Sequence, residues 1–165
     1  MSRAFIKEDN KQDIPFVPPR ADLPKGVTNY VTPFGLELLM KEKETLLSDL
    51  KVVNEGNDHG KINAIKVINI KLQRLEERIV TAQVIDPSNH DKSKVRFGST
   101  VLLKIGNTNN TRKLQIVGVD EADLKLNKIA FTSPLAKTLI NKIVNEEAIL
   151  KLERGESKFT VLEIE

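Results

Sequence analysis

Apolar residues recur with helical spacing between residues 32 and 84, in two runs that alternate steps of three and four. The runs are Leu36, Leu39, Leu46, Leu50 and Val53, then Ile65, Ile68, Leu72, Leu75, Ile79 and Ala82. Thr32-Pro33 is a helix-start signal, because threonine caps helix N-termini and proline suits the first helical position. Gly56 and Gly60 favour a break between the runs. The pattern therefore predicts an antiparallel helical hairpin.

From residue 96 the pattern changes to short runs rich in β-forming residues, separated by turn residues. We predict strands over 100–105, 111–119, 128–132, 147–152 and 158–164. Ser133-Pro134 predicts the start of a short helix with an apolar side. A small antiparallel sheet with one short helix, added to the hairpin, gives an α+β fold class.

The chain divides into four predicted segments. They are an N-terminal arm with several prolines (1–31), the coiled-coil hairpin (32–85), a polar linker (86–95) and the sheet domain (96–165). The arm has two interpretations: a flexible tail, or an extended strap that lays Phe16 and Tyr30 on the folded part or on a partner. A rod of two helices beside a compact domain is more typical of an interaction protein than of a self-contained enzyme.

Composition narrows the function classes mainly by what is missing. The net charge is only +3 although 30% of the residues are charged, so charge alone does not indicate a nucleic-acid-binding polycation. The absence of cysteine excludes disulfides, thiolate metal sites and a cysteine nucleophile. Because the sequence has neither an apolar signal segment nor a run of membrane length, we expect a cytoplasmic protein without membrane contacts.

Residues 52–65, VVNEGNDHGKINAI, carry the densest group of polar side chains between the two helical runs. Glu55, Asp58 and His59 offer three ligand types that a metal site uses, but solvated turn residues have the same composition. We favour the turn and predict no metal site. The acidic run at 120–123 is likewise a cation site or a solvated turn. The sequence lacks the common motifs of serine hydrolases, P-loop NTPases, zinc peptidases and dinucleotide-binding folds.

The chain resembles the Gre family of bacterial transcription elongation factors in three C-terminal stretches. They are VRFGSTVLL (95–103), LQIVGVDEADLKLNKIAFTSPLAKTLINK (114–142) and KFTVLEIE (158–165). YVTPFGLELLMKE (30–42) and RIVTAQVID (78–86) extend the resemblance to both ends of the hairpin. The arm lies outside it.

This resemblance implies a coiled coil joined to a C-terminal domain of FKBP-like topology, which binds RNA polymerase at its secondary channel. The hairpin of such factors brings tip carboxylates to the Mg²⁺ of the polymerase, where backtracked RNA is cleaved. The resemblance therefore implies a regulator rather than an enzyme, with no cofactor beyond the polymerase's own Mg²⁺ and indirect contact with nascent RNA and DNA. The implied polymerase-binding residues are Asp120, Glu121, Ala122, Asp123, Ser133 and Pro134.

The hairpin tip departs from the family pattern, which reads His-Gly-Asp-Leu-x-Glu-Asn-Ala. Here His59-Gly60 is followed by Lys61-Ile62-Asn63-Ala64, so both acids are missing and a lysine is present. The hairpin is also about 15 residues shorter than in typical relatives, which removes roughly 11 Å of reach at about 1.5 Å per residue. We therefore predict a polymerase-binding regulator without efficient stimulation of transcript cleavage, and no catalytic residue.

Several alternatives remain open. Glu55 and Asp58 could replace the missing acids, which would make the chain a functional cleavage factor. It could also resemble the regulators of nucleoside diphosphate kinase, which are short-hairpin relatives that bind polymerase. An FKBP-like topology suggests prolyl isomerase activity, but one tyrosine and no tryptophan leave no aromatic-lined pocket. Finally, a heptad seam can pair between chains.

Overall fold

The structure is a computed structural model that describes residues 14–56 and 60–165. Helix α1 (Pro33–Glu55) and helix α2 (Lys61–Thr81) pack along the predicted apolar seam. The Thr32 hydroxyl caps α1 by accepting a hydrogen bond of 2.9 Å from the backbone N–H of Gly35. Lys43 interrupts the seam, and its ammonium pairs with the Glu76 carboxylate of α2 at 3.0 Å.

The strands form two sheets. Strand β1 (Asn29–Val31) pairs in parallel with β2 (Ala82–Val84), the segment directly after α2. The larger sheet contains β3 (Thr100–Ile105), β4 (Thr111–Val117), β5 (Lys128–Ala130), β6 (Glu147–Leu152) and β7 (Gly155–Ile164), in the order β5-β4-β3-β7-β6. Helix α3 (Pro134–Leu139) is capped by the Ser133 hydroxyl, as its Ser-Pro start signal predicts.

The α+β class is confirmed, but the prediction that the sheet is antiparallel throughout is wrong for one pair. Strands β4 and β5 run parallel, with Ile116 opposite Ile129. Parallel neighbours need a connection that returns to the same end of the sheet. Residues 118–127, which include a 3₁₀ turn at Leu124–Leu126, provide that return. The sequence does not show this, because the residues between two strands do not reveal the end of the sheet at which the second strand begins.

Two separate apolar cores hold the fold together. One lies under the large sheet and is covered by Ala136 and Leu139 of α3, both fully buried. The other runs along the hairpin from Val31 to Leu46 and is closed by Ile68, Leu72 and Leu75 of α2. Because these clusters do not merge, the hairpin and the sheet domain meet through a narrow junction.

Residues 14–31, which we call the strap, follow the second interpretation of the arm. The Arg74 guanidinium of α2 donates hydrogen bonds of 3.0 Å to the backbone carbonyls of Val17 and Pro18, and Val17 is buried. Tyr30 packs on the folded part as expected. Phe16 does not, because 86% of its surface is exposed.

The four segment boundaries remain a prediction, although the described elements can be located against them. Strand β1 lies in the segment interpreted as arm, and a 3₁₀ turn at Pro87–Asn89 lies in the linker. Within residues 14–56 and 60–165, no helix combines the length and the apolar character that crossing a membrane requires.

Candidate functional site

The hairpin tip presents one described acid and one described cation. Glu55 is the last residue of α1 and is exposed, while Lys61 begins α2. The Lys61 ammonium donates to the backbone carbonyls of Asn54 at 2.6 Å and of Gly56 at 3.1 Å. The cation is therefore fixed across the C-terminal end of α1.

Elementary helix physics explains this position of Lys61. The last carbonyls of a helix lack intrahelical partners, and the helix dipole concentrates partial negative charge there. Since α1 has no basic residue in its own last turn, the lysine from α2 satisfies these groups instead. The first turn of α2 contains no acid, so this side of the tip offers an ammonium group where a metal-binding tip would need carboxylate oxygen.

Asp58 and His59 lie outside the described residues, so the structure does not test the proposed replacement of the tip acids by Glu55 and Asp58. Among the residues described, no three histidine, aspartate or glutamate side chains converge as a metal site requires.

Asp120, a predicted polymerase-binding residue, lies at the junction between hairpin and sheet domain and is bonded within the chain. The Arg20 guanidinium of the strap donates to Asp120 Oδ1 from Nε at 3.0 Å and from Nη2 at 2.9 Å. Arg78 of α2 approaches Asp120 Oδ2 at 3.5 Å. Only 7% of the Asp120 side chain is exposed, so its first role is to join three parts of the chain.

Arg20 has a second acidic partner on the hairpin. Its Nη1 and Nη2 donate to the two carboxylate oxygens of Glu42 at 2.7 and 3.0 Å, in a bidentate arrangement. The bond to Glu42 raises the pKa of the Arg20 guanidinium above its ordinary value, and Asp120 acts in the same direction. Both carboxylates therefore favour the charged form of the arginine.

Glu121 is still more deeply buried, with 2% of its side chain exposed. It accepts hydrogen bonds from the Thr32 hydroxyl and, at 2.7 Å, from the Lys128 ammonium. The Thr32 hydroxyl thus caps α1 and donates to the sheet domain at the same time. A carboxylate beside a helix N-terminus also gains from the helix dipole.

The backbones approach closely at this junction. A Cβ on Gly118 would lie 2.7 Å from the Tyr30 carbonyl oxygen, and a Cβ on Gly35 would lie 2.8 Å from Glu121 Oε2. The Tyr30, Phe97 and Phe131 rings pack with centroids 5.6 to 5.8 Å apart. Gly118 is therefore required where strand β1 seats on the sheet domain, whereas a side chain at Gly35 would have to displace the Glu121 carboxylate.

The other predicted docking residues divide by accessibility. Ala122, Asp123 and Pro134 are exposed, and Ser133 is half-buried where it caps α3. The Asp123 carboxylate also accepts from the backbone N–H of Lys125 at 2.8 Å. Leu124 and Leu126, which follow Asp123 along the chain, are 70% and 65% exposed.

Comparison with known proteins identifies the chain. The family described as "Transcription elongation factor, GreA/GreB, C-term" matches residues 78–165. A transcription elongation factor GreA from Nitratiruptor is 36% identical over 148 residues, covering 81% of this chain and 91% of that protein. Another from Thermodesulfovibrio yellowstonii is 31% identical over 149 residues, covering 81% and 94%. The chain belongs to the GreA/GreB family of transcription elongation factors. The predicted resemblance is confirmed.

Solved structures similar to this GreA/GreB family member include GreA factor homolog 1 of Thermus thermophilus. That alignment covers 84% of this chain and 99% of the other at 22% identity, with a TM-score of 0.38. The GreA/GreB factor from Nitrosomonas europaea aligns over 82% of this chain and 97% of its own at 19% identity, with a TM-score of 0.41.

Sequence reasoning missed the structural contacts of two residues in this family member. Arg20 is a lone arginine in a proline-rich segment, and its partners lie 22 and 100 residues away, so no local pattern reveals it. The sequence shows Lys61 only as a lysine in a tip that lacks the acids of the family pattern. Its position directly after Gly60 was the available signal for a capping role, because a lysine there lies within reach of the preceding helix end.

Proposed function

We propose that the chain regulates transcription elongation by binding RNA polymerase at its secondary channel, without efficiently stimulating transcript cleavage. Family membership supports the first part. The observation that carries the second is the Lys61 ammonium, bonded to the carbonyls of Asn54 and Gly56 at the hairpin tip.

A cleavage-stimulating tip has to supply carboxylate oxygens to a hard cation and position a water molecule. An ammonium group held at the tip raises the local positive potential and therefore opposes a second Mg²⁺. Among the tip residues that the structure describes, Glu55 gives a single carboxylate, on the opposite helix from Lys61. The proposed tip fills the channel without completing the metal site.

In this proposal the chain is a regulator and not an enzyme, because any hydrolysis would take place on the metals of the polymerase. Its contact with nascent RNA and DNA is indirect and passes through the polymerase. The Mg²⁺ involved belongs to the polymerase, so the chain needs no cofactor of its own.

The accessible docking surface in this proposal is Ala122, Asp123 and Pro134, with Leu124 and Leu126 beside them. Such a surface offers a small apolar patch flanked by one acid, which suits a partner with basic and apolar side chains. Asp120 and Glu121 act indirectly in the proposal, by fixing the hairpin to the domain that carries this surface.

A cleavage assay tests the tip. A stalled, backtracked polymerase complex is incubated with Mg²⁺ and the protein, and RNA length is followed over time with a GreA factor as the positive control. We expect no shortening above that of polymerase alone. We also expect an excess of the protein to slow GreA-stimulated cleavage, because both occupy one channel. Cleavage at the GreA rate would overturn the proposed tip function.

A binding assay tests the docking surface independently of cleavage. Asp123→Asn keeps the turn-capping oxygen but removes the charge, and its matched control is Asp22→Asn, an exposed aspartate of the strap. Pro134→Ala is matched by Pro24→Ala. We expect the first member of each pair to weaken polymerase binding roughly tenfold, equivalent to about 1.4 kcal/mol, and the controls to leave it unchanged. Equal binding by all four variants would exclude this surface.

One alternative keeps a specific observation in its favour. Glu55 is exposed at the end of α1, and none of the described residues forms a hydrogen bond or ion pair with its carboxylate. If cleavage is stimulated and Glu55→Gln abolishes it, the chain is a cleavage factor that uses a different acid from its relatives. Loss with Asp58→Asn instead would assign the role to the other candidate.

A further inference from the structure

The angle between hairpin and sheet domain is not set by a shared apolar core. The buried cluster of the hairpin ends at Val31, and that of the sheet domain begins at Val95. Between them lie a ring cluster, one capping hydroxyl and a small set of ion pairs. Because this apolar contact is limited to three rings and the close approach of Gly118 to Tyr30, the polar contacts that cross the junction should also influence the relative orientation.

The strap crosses this junction and touches both sides. Its first part lies on α2, where Arg74 holds the carbonyls of Val17 and Pro18, and Arg78 donates to the carbonyl of Ala21. Its last part, β1, pairs with β2, and the Asn29 amide donates to the Arg78 carbonyl at 2.9 Å. The strap is thus attached to the hairpin along its length.

Arg20 joins the strap and the hairpin to the sheet domain through hydrogen bonds. Four hydrogen bonds of 2.7 to 3.0 Å leave one guanidinium, two to Glu42 of α1 and two to Asp120 after β4. The Arg20 and Asp120 side chains are 19% and 7% exposed, so solvent and salt screen this pair less than a surface pair.

We propose that the strap is a clasp between the two parts of the molecule, in which Arg20 fixes the direction of the hairpin relative to the sheet domain. This role concerns the free protein and does not depend on polymerase binding. Arginine suits it because its planar fork can hold two carboxylates at once, whereas a lysine ammonium is a single point charge. The remaining direct tie between helix and Asp120, from Arg78, is 3.5 Å long and replaces neither of the Arg20 bonds.

Distances between paired spin labels test the clasp. The chain has no cysteine, so Asp49→Cys on α1 and Lys151→Cys on β6 place one label on each part of an otherwise unlabelled protein. The unmodified strap should give one narrow distance distribution. With Arg20→Ala we expect the distribution to broaden or shift by several ångström, while helix content measured by circular dichroism stays unchanged.

Matched variants decide the specificity of the effect. Lys25→Ala removes an exposed strap cation for which the described residues provide no partner, and it should leave the distribution narrow. Asp120→Ala, which removes the acceptor oxygens, should reproduce Arg20→Ala, and the double variant should be no broader than either single one if both act through the same bridge. If Arg20→Ala loses helix content, Arg20→Lys is used in its place. It keeps the charge but not the planar fork, and we expect the same broadening of the distance distribution.

An unchanged distribution in the folded Arg20 variant would overturn the clasp. Equal broadening by Lys25→Ala would overturn it as well, since the effect would then follow from charge rather than from the bridge. These outcomes are independent of the cleavage and binding assays, so the clasp and the proposed function can fail separately.

Discussion

The two ends of the helical hairpin are held by different means. At the base, a capping threonine, a buried glutamate, two close-approach glycines and the Arg20 bridge fix α1 to the sheet domain. At the tip, Lys61 bonds the carbonyls at the end of α1, beside the local backbone bonds of each helix end. Among the described residues, the contacts at the base join different parts of the chain, whereas those of Lys61 at the tip are local to the turn. Substitutions matched between base and tip test this contrast.

The largest difference should come from apolar burial. Leu75 is fully buried on α2 towards the base, whereas Val52 near the tip is 67% exposed. Leu75→Ala should lower the free energy of unfolding by about 2–5 kcal/mol, the range for a buried leucine that leaves a cavity. Val52→Ala should change it by less than about 0.5 kcal/mol. Chemical denaturation measures both, and similar values would contradict the contrast.

The glycines should give the second-largest difference in stability between base and tip. Gly118→Ala places a Cβ 2.7 Å from the Tyr30 carbonyl oxygen, so strand β1 has to move. We expect a loss of about 1–3 kcal/mol, as for other overpacked sites. At the tip, a Cβ on Gly60 meets nothing within 4 Å, and Gly60→Ala should be neutral or slightly stabilising. Thermal unfolding of both variants checks this, and a tolerated Gly118→Ala would show that the junction can open at little cost.

Removing a buried charge at the base should give the third-largest difference in stability from the matched change at the tip. Glu121→Gln leaves the Lys128 ammonium, which is 17% exposed, without its carboxylate. The expected loss is about 1–3 kcal/mol, the cost of a poorly satisfied buried polar group. Glu55→Gln at the exposed end of α1 should cost less than about 0.5 kcal/mol. Urea denaturation at two salt concentrations checks both, and a loss at Glu121 that vanishes in salt would indicate a surface interaction.

The smallest effect should belong to Lys61. Lys61→Ala removes a cation from the C-terminal end of α1, so we expect a loss of about 0.3–1 kcal/mol. Amide hydrogen exchange should quicken in the last turn of α1 and remain unchanged at the base. Lys71→Ala, an exposed lysine within α2, is the control and should alter neither. Faster exchange throughout the hairpin would show that tip and base are coupled.

The parts of this fold that could be predicted from sequence are those whose signals are local. Thr32-Pro33 and Ser133-Pro134 each start a helix as expected, because the capping hydroxyl and the proline act within one turn. The apolar spacing of α2 likewise determines which face packs. The parallel β4–β5 pair and the β1–β2 pair were not foreseen, since a three-residue strand has no periodicity and its partner is chosen by tertiary packing.

The candidate site was harder to predict for the same reason. The acidic run after β4 was found, but the sequence does not show that Asp120 and Glu121 face inward, because their partners come from the strap and α1. The exposed members of the run, Ala122 and Asp123, keep the role predicted for them as a proposal. At the tip, the loss of the acids was visible directly, whereas the bonding of Lys61 required the geometry of the turn.

The narrow base of the hairpin has a mechanical consequence. Helix α1 has 23 residues, so at about 1.5 Å per residue the hairpin is a lever roughly 34 Å long, and a tilt of about 10° at its base moves the tip by about 6 Å. That displacement is about twice the length of a hydrogen bond. The position of the tip is therefore defined to within one bond length only if the tilt at the base varies by less than about 5°. The bonds from Arg20 to Glu42 and Asp120 lie at that base, so small changes in them would be magnified at the tip.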